Sequence, residues 1–274
     1  MHRADLPMAE GELRAAISKL ANGLYIPIFA QSVKYTSASA SFEENLYALL
    51  AEQSRLTFEK RVIRRLKAAG FPYVKTMDMF AMAADRLPNL DFEEVRRLAT
   101  CKFIDEKSDV CAIGPSGHGK SHLALAIGNE AVRRGYSVKY RRACDLINEM
   151  KEAKSEKRLA DYARMMTRCS LLIIDEVGYL NYDEVASSLL YQIVGARYEI
   201  GSTFYTSNHK FSEWPDFIGN NALANAIVTR IAHHSIVLDM NGPKAWRLEH
   251  ARSKRGKAAL GAIPVDGNGD TSAI

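Results

Sequence analysis

The chain has 274 residues, 47% of them hydrophobic and 25% charged, which excludes fibrous, collagen-like and wholly disordered proteins. Lys and Arg number 37 against 32 Asp and Glu, a formal charge of +5 that permits a polyanionic partner without requiring one. The length suits one large domain with a smaller companion. Cys101, Cys111, Cys144 and Cys169 are spread singly with no C-x-x-C pair, the pattern of a reduced, cytoplasmic protein. Met1 to Glu12 lacks the basic and apolar segments of a signal peptide, and the longest apolar stretch, Leu24 to Ala30, is short and broken by Pro27.

From the N-terminus, an amphipathic segment over Leu13 to Leu20 leads to a Ser, Thr and Ala-rich connector, Thr36 to Ser41, read as a loop. In Ser41-Phe-Glu-Glu44 a serine hydroxyl and a glutamate carboxylate can satisfy each other's free backbone N–H groups at a helix start. Gly70 with Pro72 supplies the stop. Between them Leu46, Leu49, Leu56, Ile63 and Leu66 recur at spacings of three and seven, on one stripe of a long helix that needs a partner surface. Arg55 to Lys75 carries seven basic residues and one acid, and Arg61, Arg64 and Arg65 share a helical face. That face is either solvated or set against phosphates, where counterion release would favour nucleic acid. Asp91-Phe-Glu-Glu94 starts a short helix running to Leu98, so residues 1–105 read as all-helical.

After Asp105 short apolar runs alternate with amphipathic stretches: Val110 to Ile113, Val138 to Tyr140, Leu171 to Ile174, Thr203 to Thr206 and Ile236 to Leu238. The alternation implies an α/β domain with a parallel sheet covered on both faces, and a boundary near 105. Residues 258–274, rich in Gly, Ala and small polar residues, are expected to form a disordered tail.

Gly114-Pro115-Ser116-Gly117-His118-Gly119-Lys120-Ser121 matches G-x-x-x-x-G-K-[ST] directly after the first apolar run and before the amphipathic stretch from His122 to Arg134. Glycines there let the backbone wrap a phosphate at distances a Cβ would block, so successive N–H groups point at the anion. Gly114 to His122 is therefore the expected nucleotide-binding set. Lys120 would neutralise the β and γ phosphates and Ser121 Oγ would ligate Mg²⁺, the ligand being Mg-ATP or Mg-GTP. Leu171-Leu-Ile-Ile-Asp175-Glu176 is an apolar run ending in two carboxylates, 55 residues beyond Lys120, which leaves room for an intervening βα unit. Asp175 would hold the Mg²⁺ shell and Glu176 would polarise the attacking water, a pairing that favours hydrolysis over a small-molecule kinase. Asn208, at the tip of the Thr203 to Thr206 run, could place its amide between that water and the γ-phosphate; without the other motifs it reads as a turn residue.

Together with Ser41 to Glu44 and the basic helix behind it, Tyr205-Thr-Ser-Asn208 followed by Trp214, and Arg230-Ile-Ala-His-His234, these motifs resemble the IstB-like helper ATPases of insertion sequences, relatives of DnaC and DnaA within the AAA+ superfamily. The resemblance spans about Leu13 to Lys257. It implies an AAA+ fold with five parallel strands in the order 5-1-4-3-2, an ATPase domain at 106–257 and a helical DNA- or partner-binding domain at 1–105. It implies Asn208 as sensor 1, Arg230 as the finger completing a neighbour's site and Arg247 as the sensor 2 arginine. His118 and Thr229 depart from the family's usual small residue and Asp. The polar, basic stretch Arg141 to Arg164, with Lys151, Lys154, Lys157 and Arg158, matches the extra helix of initiators and loaders and is either solvated or a duplex-DNA contact. The implied function is DNA-dependent ATP hydrolysis by a self-assembling ring or spiral that remodels duplex DNA and recruits and stimulates its element's transposase. A helicase loader is the alternative.

Overall fold

The structure, a computed structural model, describes residues 10–81 and 87–242. Arg247, the basic run Lys244 to Lys257 and the expected tail lie outside the described residues. The chain divides into two units, Met1–Arg64 and Arg65–Ile274.

In the first unit, helix α1 covers Glu10–Gly23, a short α2 covers Pro27–Ala30, and α3 covers Phe42–Ala69, its residues from Arg65 on belonging to the second unit. The start of α3 is the expected capping box: Glu44 N–H donates to Ser41 Oγ (3.2 Å) and Ser41 N–H to Glu44 Oε2 (2.7 Å). The apolar stripe is only partly covered. Leu49 is buried, but Leu46 and Ile63 stay 37% and 66% exposed. A row spaced by sevens drifts about 20° per heptad on a straight helix, so by Ile63 it has turned off the line of Leu49. Arg61 and Arg64 are exposed.

In the second unit α4 (Met77–Ala81), α5 (Phe92–Ala99) and α6 (Lys102–Asp105) precede the sheet. Asp91 caps α5 by accepting from the N–H groups of Glu93 and Glu94. There follow β1 (Asp109–Ile113), α7 (Lys120–Arg133), β2 (Val138–Arg142), α8 (Ala143–Ser155), α9 (Leu159–Thr167), β3 (Leu171–Val177), α10 (Glu184–Arg197), β4 (Ser202–Ser207), α11 (Trp214–Phe217), α12 (Asn221–His234) and β5 (Ser235–Asp239). All strand pairs are parallel and the order is β2-β3-β4-β1-β5, which is 5-1-4-3-2 read from the other edge. β1 and β4 are buried throughout, as interior strands with helices on both faces must be. Cys111, Ile113, Leu172, Ile174 and Tyr205 pack on one face against Leu146 and Met150 of α8, Ile193 of α10 and Ile227 of α12. Helix α7 packs from the other face, where Gly128 brings its backbone so close to β3 that a Cβ would lie 2.7 Å from Ile173 Cδ1.

The change of sequence pattern at 105 and the division between units fall at different places because α5 and α6 contribute to the core of the second unit. Val95, Leu98, Phe103 and Ile104 are buried, and Ser202 Oγ donates to the Phe103 carbonyl (3.1 Å). The stretch Arg141 to Arg164 ends β2 and then forms two helices; α8 buries Leu146, Ile147, Met150 and Ala153. The exposed basic residues of the stretch are Arg142 and Arg164, each paired with an aspartate three residues away, and the cluster of Lys154, Lys157 and Arg158 at the end of α8 and in the turn after it. Arg65 of the predicted basic face donates to the Gly135 carbonyl. Arg197, 2% exposed, donates to Thr203 Oγ1 and to the carbonyls of Met166, Cys169 and Ser202, tying the end of α9 to the starts of β3 and β4. The four cysteines are free thiols, and among the described residues no helix is long and apolar enough to cross a membrane.

Candidate nucleotide site

The parallel strands direct their C-terminal tips to one edge, and the predicted residues meet there. The loop from Gly114 joins β1 to α7, with Gly117 and Gly119 at φ of +85° and +90°, which side chains rarely adopt. A Cβ at Gly114 would lie 2.7 Å from the Met240 carbonyl oxygen. His118 explains its departure from a small residue: it is 8% exposed and its ring nitrogens sit 3.2 Å from the Ser116 carbonyl and 3.0 Å from that of Gly242, bracing the loop against the segment after β5. Lys120 Nζ donates to the carbonyls of Gly114 (2.6 Å) and Pro115 (2.8 Å) and to Asn208 Oδ1 (2.6 Å), so the lysine of α7 and the amide at the tip of β4 are in direct contact.

Ser121 Oγ donates to Asp175 Oδ1 (2.8 Å). Asp175, 3% exposed, also accepts from Thr206 Oγ1 at Oδ1 and from the Tyr140 phenol at Oδ2 (2.8 Å). Burial, and the Asp175 carboxylate second, push the Tyr140 phenol well above its usual range, which keeps it a donor. Glu176 follows in a left-handed conformation (φ +62°) where the β3–β4 register shifts between Ile174 and Val177, and its N–H donates to Thr206 Oγ1 (2.9 Å). Its side chain lines a cavity of about 260 Å³, together with Lys120, Ser121 and Asn208.

The far end of that cavity was not legible from the motifs. Tyr73, Met79, Phe80 and Leu87 give it an apolar wall, beside His122. The His122 ring stands edge-on to Phe80, centroids 5.7 Å apart, and its Nε2 is buried without a hydrogen-bond partner. Burial and then nearby Lys75 lower its pKa, against a hydrogen bond with the Thr76 backbone that raises it. Tyr140 and Thr206 reach the acidic pair without a signal in the sequence, since a tyrosine in an edge strand looks like any other apolar-run residue. Arg230 does not join this cavity: on α12 its guanidinium lies over the Tyr191 ring (4.4 Å), and Arg247 lies outside the described residues.

A glycine-rich loop after the first strand, paired acids at the tip of the third, an amide at the tip of the fourth and the order 5-1-4-3-2 define a P-loop ATPase of AAA+ architecture. More narrowly, the chain belongs to the IstB-like ATP binding proteins, whose family model matches residues 17–254. It is 34% identical over 250 residues to the "Insertion sequence IS5376 putative ATP-binding protein" of Geobacillus stearothermophilus, covering 89% of this chain and 98% of that one. It is 34% identical to the "Insertion sequence IS21 putative ATP-binding protein" of Pseudomonas aeruginosa, over 82% and 83% of the two chains. Among solved structures it is similar to the DnaC helicase loader (TM-score 0.49, 19% identity, 64% of this chain and 98% of that one) and to AMPPCP-bound DnaA from Aquifex aeolicus (0.47, 23%, 61% and 50%).

Proposed function

We propose that the chain is the ATP-hydrolysing helper of an insertion sequence: it takes Mg-ATP, assembles with further copies on duplex DNA in the reduced cytoplasm, remodels that DNA, and recruits and stimulates the transposase of its element. The observation that carries the hydrolytic part is the meeting of Lys120, Ser121, Glu176 and Asn208 at one cavity, with Asp175 buried directly behind Ser121. The loop N–H groups from Ser116 to Ser121 cradle the phosphates, and the Lys120 ammonium neutralises their charge as they displace its loop carbonyls. The apolar wall takes the base, and the ATP-binding family and relatives favour ATP over GTP. For Mg²⁺ the donors fit: an all-oxygen pair, Ser121 Oγ and Asp175, already in contact at 2.8 Å. When bound, the ion screens phosphate charge. Glu176 orients the attacking water and takes up its proton, and Asn208 holds the water and the γ-phosphate together. Arg230 and Arg247 complete sites in the assembly, Arg230 that of a neighbouring copy, so that hydrolysis depends on oligomerisation.

The insertion-sequence relatives support the transposition reading over a helicase loader. Exposed Arg61 and Arg64 and the cluster of Lys154, Lys157 and Arg158 are the proposed DNA contacts. Sedimentation of Glu176→Gln with ATP and duplex DNA tests the assembly: a multi-subunit complex on DNA is expected, and a monomer contradicts it. Reversing the charges of Arg61 and Arg64 should weaken DNA binding and flatten its salt dependence; an unchanged slope returns that face to solvent. Co-purification with the transposase encoded beside the chain tests the partner.

A further inference from the structure

Two hydroxyls beside the acidic pair have no part in the roles assigned so far: Tyr140 stands outside every motif, and Thr206 lies within the Tyr205 to Asn208 motif, of which only Asn208 has been given a role. They come from the two strands that flank β3, Tyr140 from β2 and Thr206 from β4, and so reach Asp175 from both sides. Tyr140 donates to Oδ2 and Thr206 to Oδ1. The carboxylate torsion of an aspartate is broad, so one donor leaves the group free to swing; donors on both oxygens fix its plane. Thr206 does a second thing with the same oxygen, accepting the Glu176 N–H at the register shift where Glu176 takes its left-handed turn toward the cavity. Thr206 is 1% exposed, so water cannot replace it.

We propose that Tyr140 and Thr206 are positioning residues for hydrolysis, the phenol fixing the Asp175 carboxylate toward Ser121 and the threonine hydroxyl fixing that carboxylate and the Glu176 backbone together. They act through Asp175 and Glu176, and the inference rests on the Mg-ATP reading above. Ser121 and Asp175 are presented as a prealigned pair only while both outer hydroxyls are in place. Nucleotide held without the ion is indifferent to them, because the loop and Lys120 do that work. A left-handed non-glycine residue persists only where its surroundings over-determine it, and the Thr206 acceptor is the contact that does so here.

The test compares wild type with Tyr140→Phe, Thr206→Val and Thr206→Ser. A fluorescent ATP analogue is titrated in EDTA and in Mg²⁺, and kcat, KM and the Mg²⁺ concentration for half-maximal turnover are measured. Binding in EDTA should stay within about threefold of wild type for all three variants, while Tyr140→Phe should need about tenfold more Mg²⁺, the effect of one lost hydrogen bond to a charged group. Thr206→Val should lose about tenfold or more in kcat with KM within about threefold, and Thr206→Ser, which restores the hydroxyl, should recover most of it. Unchanged Mg²⁺ requirement and kcat in Tyr140→Phe and Thr206→Val overturn the proposal. So does an equal loss of EDTA binding and thermal stability with Ser no better than Val, since that is the behaviour of plain structural residues. A wild type indifferent to Mg²⁺ contradicts the metal reading instead, and the kcat series at Thr206 still decides the positioning role.

Discussion

Arg197 is the residue whose loss should cost the fold most without touching the site. Its guanidinium is 2% exposed and serves Thr203 Oγ1 (3.0 Å), Met166 O (2.7 Å), Cys169 O (3.1 Å) and Ser202 O (2.5 Å). Arg197→Leu keeps the stem but takes the guanidinium donor from all four acceptors, leaving Met166 O only the weak Cys169 thiol. At about 1–3 kcal/mol for each orphaned group, offset by no longer burying a charge, the net loss should be about 4 kcal/mol. Arg197→Lys keeps the charge but offers three donors on one atom in place of a planar fork, and should lose about half as much. Urea unfolding followed by circular dichroism reads this directly: with a slope of about 3 kcal/mol per molar, the midpoint of Arg197→Leu falls by a little over 1 M. Nucleotide affinity of the folded variant stays near wild type. An Arg197→Leu protein within about 1 kcal/mol of wild type would refute the claim that this side chain ties α9, β3 and β4 together.

Three further outcomes are expected. Burial pushes the Asp109 carboxyl from 3.8 up to about 7, against the Thr203 N–H (2.6 Å) and Arg197, which pull it down. The native state therefore keeps a proton that the unfolded chain has lost between about pH 4 and 7, and this contribution is complete below pH 3.8 and lost as pH rises through 7, at up to about 1.4 kcal/mol per pH unit. Asp109→Asn, whose amide oxygen still accepts from Thr203, should flatten a pH series of urea midpoints over that window; an unchanged slope counts against it. Gly128→Ala should lower the melting temperature despite the helix preference for alanine, because its Cβ would lie 2.7 Å from Ile173 Cδ1 and 3.0 Å from Phe71 Cζ, and an overpacking cost of about 1–3 kcal/mol exceeds a gain of about 1; a rise would show that the core yields. Lys120→Ala should weaken ATP binding by calorimetry about a hundredfold, the loss of a buried charge-assisted contact, and retained affinity would show that the loop backbone suffices.

Much of this was readable from the chain because the informative residues act locally. The loop from Gly114 to Ser121 and the run Leu171 to Glu176 carry backbone and burial requirements that only a few residue types meet, and Ser41 with Glu44 caps a helix across three residues. What escaped was non-local. Tyr140 matters only because β2 lies beside β3, and Phe80 and Leu87 only because they close a cavity whose other end is Lys120. Arg197 reads as a surface arginine at the end of an amphipathic helix until the starts of β3 and β4 are brought to it. The stripe on α3 gave the helix but not its cover, since a count of spacings does not say which surface meets Leu49 and which leaves Ile63 exposed.

The most direct test of the account is phosphate release from ATP by wild type and Glu176→Gln, each with and without duplex DNA. Wild type should turn over and be stimulated by DNA, while Glu176→Gln, which keeps its backbone bond to Thr206, should bind ATP within about threefold of wild type and lose turnover by about a hundredfold or more. Wild-type turnover no higher than that of Glu176→Gln under every DNA condition would contradict it.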